Sequence, residues 1–223
     1  MKRLFLSVFM LLVAFATFAQ SRPKLIVGIV VDQMRWDYLH RYYNLYCEGG
    51  FKRLMNEGFD CENTMINYIP AITAVGHTSI YTGTVPSIHG IQANNFLLNG
   101  KMTYCTADST VSGVGTDSKA GQMSPRNMLT TTIGDELKVA TNFKSRVFGV
   151  SIKDRAAILP AGHAADAAYW IDSKQSKFIT SNYYMKQLPA WVEKYNKKIS
   201  KYTSDQISYS PVGNEVTIDM AKN

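Results

Sequence analysis

Residues 24–34 read KLIVGIVVDQM, an apolar, largely β-branched run that closes on Asp32. It lacks the polar alternation of a half-buried strand, so it reads as a strand covered on both faces. The run RVFGVSI at 146–152 has the same character and stops just before Lys153. Three stretches between them carry helical signals. MRWDYLHRYY (34–43) is one, and GGFKRLMNEG (49–58) sets Phe51, Leu54 and Met55 on one face with glycines at either end. SPRNMLTTTIGDELKVA (124–140) starts with a Ser124 cap and Pro125 at the first helical position. Apolar strands alternating with helices predict an α/β fold with a parallel sheet and helices on both faces. Functional groups in such sheets gather beyond the carboxyl ends of the strands. No repeat or low-complexity linker interrupts the pattern, so one domain, or part of one, is expected. GKMTYCTADSTVSGVGTDSKAGQ (100–122) is polar and glycine-rich and reads as a surface excursion.

Of the 223 residues, 46% are hydrophobic and 12% aromatic, enough to build a core and too much for a disordered chain. The opening MKRLFLSVFMLLVAFATFAQS passes from two basic residues through a short apolar stretch to small residues, with Thr17 and Ala19 placed for cleavage before Gln20. Residues 1–19 therefore read as a secretory signal, since the apolar run falls short of the about 20 residues a spanning helix needs. A periplasmic or secreted protein is expected, with residues 20–223 as the mature chain and no membrane attachment after cleavage. Loss of Lys2 and Arg3 lowers the formal charge from +7 by two, to +5. The lysines are spread, and the denser AWVEKYNKKISKY (190–202) reads as a solvated helix face rather than a nucleic-acid footprint. This mildly basic balance suits a small anionic substrate.

Cys47, Cys61 and Cys105 in an exported chain give one disulfide and one leftover thiol. Cys61 with Cys105 is the expected pair because each borders a loop, and Cys47, in the helix-like YYNLYCEGG, is expected as a small buried hydrophobe. No zinc-finger spacing occurs.

Four places carry candidate chemistry. Asp32 ends an apolar run, where a carboxylate needs a cation or hydrogen-bond donors; a metal ligand and a helix cap are both open readings. Thr73, in PAITAVGHTSIYTGTVPSIHG (70–90), sits at a helix start, as a cap or as a nucleophile beside outward-pointing N–H groups. In GIQANNFLLNG (90–100), Asn94 or Asn95 offers an amide donor to an oxyanion. Lys153 and Arg155, in SIKDRAAILPAGHAADAAYW (151–170), stand two apart after a strand, and extended geometry would place both cations on one side. Tyr183, Tyr184 and Trp191 read as core, with a substrate cleft as the other reading.

In their order and spacing, VVDQMRWDYL, PAITAVGHTSIYTG with PSIHGIQANNF, and SIKDRAAILPAGHAADAAYW resemble the alkaline phosphatase superfamily. More narrowly, they resemble its periplasmic phosphate-irrepressible phosphatases with a threonine nucleophile. The resemblance covers essentially the whole mature chain and implies a three-layer α/β/α sandwich. It implies Asp32 and Thr73 as metal ligands, Thr73 as nucleophile, and Asn94, Lys153 and Arg155 as holders of the phosphoryl oxygens. The implied reaction hydrolyses phosphate monoesters through a phosphothreonine, with two Zn²⁺ ions as cofactors. One ion activates Thr73 and the other stabilises the leaving group. The Lys-x-Arg pair favours a dianionic monoester over a diester, whose phosphate has lost one such oxygen. Within the superfamily, a phosphodiesterase or nucleotide pyrophosphatase is the alternative; outside enzymes, a noncatalytic secreted remnant is. Sulfatase chemistry is disfavoured because Thr73 is followed by Ala-Val-Gly.

The resemblance also implies that histidine ligands come later than His77, His89 and His163. These three are expected to tie loops by hydrogen bonds, and His40 to lie on a surface helix. Two ligand positions cannot fill two roughly four-coordinate zinc sites. An N-terminal fragment is therefore expected, with an incomplete sheet, weak zinc binding and little turnover of its own.

Overall fold

The computed structural model describes residues 23–223, so the secretory signal expected at 1–19 lies outside the described residues. The chain divides after Tyr43 into two units. In the first, residues 25–31 form neither helix nor strand and are largely exposed, with Leu25 at 79% and Ile29 at 76%, and pair with no strand among the described residues. The opening strand read from the sequence is thus not formed here. β-branched residues favour a pleated, half-buried surface, and without a neighbour to supply the ladder that preference builds no strand. Helix α1 (Asp37–Arg41) follows, with Arg35 paired to Asp37 at 2.9 Å.

The second unit, Asn44–Asn223, contains α2 (Phe51–Glu57), α3 (Thr73–Thr82) and α4 (Pro86–His89), then the strands β1 (Asn95–Leu98), β2 (Lys101–Tyr104) and β3 (Gly113–Val114). After these come α5 (Ile133–Ala140), β4 (Phe148–Val150), α6 (Asp154–Ala161), β5 (Ala167–Asp172), β6 (Lys177–Ser181), α7 (Ala190–Ile199), α8 (Ser204–Tyr209) and α9 (Val212–Ala221). The four-stranded sheet has the order β3-β6-β5-β4. Among the described residues only β4 and β5 run parallel, Val150 facing Tyr169, because α6 provides the crossover between them. β5 and β6 are joined by residues 173–176 alone, too short for a crossover, and pair antiparallel with Trp170 opposite Ile179. The sheet is therefore mixed, not parallel throughout.

All six residues of β5 are buried, as a strand covered on both faces requires. Tyr169 and Ile171, with Phe178 of β6, face Val192, Tyr195 and Ile199 of α7 and further side chains from α8 and α9. Ala168, Trp170 and Ile179 face Ala157, Ile158 and Ala161 of α6. Helices on both faces of one sheet make the three-layer α/β/α arrangement. The lysines of α7 point to solvent while its apolar side chains pack inward, as its sequence implied. The face expected on α2 is only half covered, Leu54 being 64% exposed.

Two local readings change. α5 starts at Ile133 rather than near Ser124, under a capping box in which Thr132 and Asp135 exchange hydrogen bonds of 2.8 and 3.2 Å. Ser124 caps a turn instead, accepting from the Arg126 N–H at 3.2 Å. The supposed surface excursion opens with a β-hairpin, β1 with β2, turned by Asn99 and Gly100 with φ of 51° and 76°.

Three carboxylates, Asp108 and Asp172 buried and Asp166 partly so, fasten loops. Asp108 accepts from Ser124, Thr110 and Arg126; Asp166 from Lys138, Arg146 and the Val147 N–H; Asp172 from Thr116, Ser118 and the Lys174 N–H. Burial pushes each carboxyl up, but these donors outweigh it and hold all three below the usual carboxylate range. A lowered folded-state value gives stability that is complete above the unfolded value of about 3.9 and is lost as pH falls through the folded value. Acid unfolding followed by circular dichroism should therefore hold a plateau above about pH 5 and fall steadily below pH 4. Replacing Asp166 with Asn should flatten that fall.

Gly149 of β4 lies against the backbone of Ala157 in α6 so closely that a Cβ would collide with the Ala157 carbonyl. Gly149→Ala should destabilise the protein by about 1–3 kcal/mol in urea unfolding, because backbone cannot yield as a side chain can.

Candidate active site

α3 is unusual in burying polar side chains: His77, Thr78 and Ser79 are buried along with Ala74 and Val75. Their bonding explains why this is tolerated. Thr78 donates to the Ala74 carbonyl at 2.7 Å, Thr82 to the Thr78 carbonyl at 2.8 Å, and His77 Nδ1 to the Thr73 carbonyl at 2.8 Å. Ile72, extended with φ −107° and ψ 167°, is the cap residue, so Thr73 occupies the first helical position and is not the N-cap. Its half-buried hydroxyl stands in the first turn, where backbone N–H groups lack helical acceptors.

One of those N–H groups, that of Ala74, donates to Asn94 Oδ1 at 3.1 Å. This bond places Asn94 at the α3 N-terminus and leaves its NH₂ to donate elsewhere. Asn95 is the exposed first residue of β1, paired across the hairpin with Tyr104. His89 holds the connecting segment. Its Nδ1 accepts from the Ile91 N–H at 3.1 Å, so Nε2 carries the proton and meets Ser79 Oγ at 2.9 Å. Burial lowers the His89 pKa, in keeping with this neutral ring. The ring of His89 is thus a tie between segments, as expected, whereas that of His77 bonds within its own helix. At His163 it is the backbone that ties: its N–H donates to Asp135 at 3.1 Å, and its carbonyl accepts from Tyr183 at 2.9 Å.

Lys153 and Arg155 do not share an extended face. Lys153 is the exposed N-cap of α6 and Arg155 lies within its first turn, because the helix begins at Asp154, between the two, rather than beyond the pair. Asp154 between them points inward and accepts from the Tyr104 hydroxyl at 3.0 Å and from the Thr106 hydroxyl. Arg155 Nη1 donates to the Tyr104 hydroxyl at 3.0 Å, while its buried Nε meets no acceptor. Burial pushes the Asp154 carboxyl up, the donors and Arg155 offsetting this only in part. Burial, then the charge of Asp154, also raises Tyr104 well above an ordinary phenol.

Sequence reading missed Tyr104, Thr106 and Asp154. Asn99-Gly100 was a signal for the hairpin that ends at Tyr104, but the turn after it, closed by the Ala107 N–H on the Tyr104 carbonyl, sets where Thr106 faces. Tyr104 and Thr106 turn to Asp154, and Cys105 turns into the cluster of Ala74, Ile91, Phe96, Met128 and Leu159 that joins α3 to α6. Asp32 belongs to the first unit, in an exposed turn. No group of three or more metal-ligating side chains occurs among the described residues, so these residues do not make up a metal centre. Tyr184 is core, and Trp191 packs edge-on against Tyr169 at 5.6 Å.

The expected disulfide is absent: all three thiols are free, Cys105 buried and both Cys47 and Cys61 exposed. Cys105 is fully buried in the core, so it does not meet an exposed partner, and Cys47 is not the buried hydrophobe expected. Burial, then the charge of Asp154, pushes the Cys105 thiol up to about 12. Alkylation of the folded protein with iodoacetamide, read by peptide mass spectrometry, should label Cys47 and Cys61 and spare Cys105 until denaturant is added.

Residues 26–222 match the family model described as type I phosphodiesterase / nucleotide pyrophosphatase. A protein of Myroides odoratus named calcium-transporting ATPase is 59% identical over 80% of this chain and 33% of its own length. Alkaline phosphatase PafA of Elizabethkingia meningoseptica is 59% identical over 82% of this chain and 34% of its own. Solved structures of alkaline phosphatase PafA match with a TM-score of 0.78, covering 81% of this chain and 35% of theirs. The wild type is 58% identical; a variant with one Thr changed to Ser and one Asn, one Lys and one Arg changed to Ala is 57% identical. The chain thus spans about a third of the length of the relatives it matches.

Proposed function

The chain belongs to the type I phosphodiesterase / nucleotide pyrophosphatase family, and from that premise we propose that the whole protein hydrolyses phosphate monoesters with Thr73 as nucleophile. The observation that carries this reading is the hydrogen bond from the Ala74 N–H to Asn94, which sets an amide donor beside the hydroxyl at a helix start. The PafA variant supports it. Its substituted asparagine follows its threonine by 21 residues and its arginine follows its lysine by two, as Asn94 follows Thr73 and Arg155 follows Lys153.

In this reading the Thr73 hydroxyl loses its proton, Oγ bonds to phosphorus, and the ester oxygen departs with the electron pair and takes up a proton. Water then cleaves the phosphothreonine to release phosphate. The Asn94 NH₂, Lys153 and Arg155 hold the nonbridging oxygens as charge redistributes over them. A hydroxyl is a weak nucleophile at neutral pH, and a divalent cation such as Zn²⁺ supplies the missing acidity. Asp32 and Thr73 would be two of its ligands; the others would come from elsewhere in the protein. The apolar leader at 1–19 supports export to the periplasm or beyond.

In the full-length protein, Thr73→Ala should lower turnover of p-nitrophenyl phosphate on the order of a thousandfold or more. Lys153→Ala and Arg155→Ala should each cost roughly a hundredfold on that monoester and less than about tenfold on bis-p-nitrophenyl phosphate. Equal losses on both esters would favour the diesterase reading that the family description suggests. Full activity without the Thr73 hydroxyl would defeat the proposal.

A further inference from the structure

We propose that Tyr104 is a positioning residue for monoester specificity: its hydroxyl, oriented by the inward Asp154, holds the Arg155 guanidinium where a dianionic phosphoryl group meets it. The inference rests on the phosphate-holding role given above to Arg155 and adds what keeps that side chain in place. An arginine in a helix first turn has several rotatable bonds, and a phosphate contact that must first freeze them is weaker for it.

The direction of the bonds decides the role. A carboxylate only accepts, so the single Tyr104 proton goes to Asp154 Oδ1, leaving a phenolic lone pair for Arg155 Nη1, each at 3.0 Å. Burial keeps that phenol protonated far above neutrality, so the relay does not reverse. Asp154 is itself held at its other oxygen by Thr106, two residues on in the turn that the Ala107 N–H closes on the Tyr104 carbonyl. The anchor is rigid: Cys105, between Tyr104 and Thr106, is fully buried against Ala74 of α3 and Leu159 of α6. The carriers of Thr73, Arg155 and Tyr104 therefore meet in one cluster. Arg155 still has unspent capacity, for its buried Nε donates to no protein acceptor. A buried donor left unpaired is costly, and an anion drawn to this guanidinium lowers that cost.

The test uses the full-length protein with Tyr104→Phe, Arg155→Ala and the double variant, measured on p-nitrophenyl phosphate and bis-p-nitrophenyl phosphate. Tyr104→Phe keeps the ring and removes only the hydroxyl. It should lower monoester kcat/KM roughly 5- to 50-fold, as loss of a hydrogen bond to a charged group does, while changing the diester value less than about twofold. In the Arg155→Ala background the same change should cost less than about twofold, because Tyr104 acts through that arginine. Proportional losses on both esters, or effects that multiply in the double variant, would mean that Tyr104 only supports the fold and would overturn the proposal. Should Tyr104→Phe melt too low to assay, Asp154→Asn removes the charge that orients the phenol and must give the same monoester-selective loss. If Arg155→Ala is costly on monoesters and Tyr104→Phe is silent, positioning fails alone. If Arg155→Ala itself spares monoesters, the phosphate-holding role fails and this inference falls with it.

Discussion

The candidate site depends on how closely α6 lies on β4. Gly149 lets the two backbones touch at Ala157, and that contact fixes where the strand gives way to the helix. The turn at this junction carries Lys153, Asp154 and Arg155. A side chain at 149 would lift the helix from the sheet and carry the three residues with it. The same helix packs by Leu159 into the cluster that includes Ala74, so its position is shared with the start of α3. Sheet, nucleophile helix and cationic turn are therefore parts of one packing problem.

A second constraint is polar. α3 is buried although much of its length is Thr, Ser and His, and that works only because each of those groups finds a partner in its own turn or in His89. The first turn is the exception, since a helix cannot satisfy its own leading N–H groups. Asn94 takes one of them. A helix whose interior is self-sufficient and whose start is not concentrates its unspent hydrogen bonding at one end, where Thr73 stands.

What could be read from the sequence follows from which forces are local. A strand within 146–152, formed at Phe148–Val150 though with Phe148 exposed, and the helix start at Thr73 were legible because their signals lie within a few residues. The run at 24–34 carried an equally strong signal, yet its residues find no ladder among those described; pairing is supplied by distant chain, and composition does not encode it. Ser124 looked like a helix cap because a Ser-Pro pair suits both a helix and a turn, and only the reciprocal bonding of Thr132 and Asp135 decides between them. The cysteine pairing failed for a related reason, since bordering a loop says nothing about burial: Cys105 lies in a turn yet is fully buried, while Cys61 is exposed. Tyr104, Thr106 and Asp154 stayed hidden because their link spans about fifty residues.

The Lys-Asp-Arg triplet shows how folding changes the charge that a sequence presents. Read linearly, residues 153–155 carry two cations and one anion, a poor match for a dianionic ligand. In the fold the anion is withdrawn. Asp154 turns into the protein, where Tyr104 and Thr106 occupy its oxygens, while Lys153 stays exposed at the helix cap. The Asp154 carboxylate is shielded behind the Tyr104 hydroxyl that also receives Arg155. The turn thus offers solvent more positive charge than its composition suggests, and the carboxylate that would oppose a phosphate serves instead to orient one of the groups drawn to it.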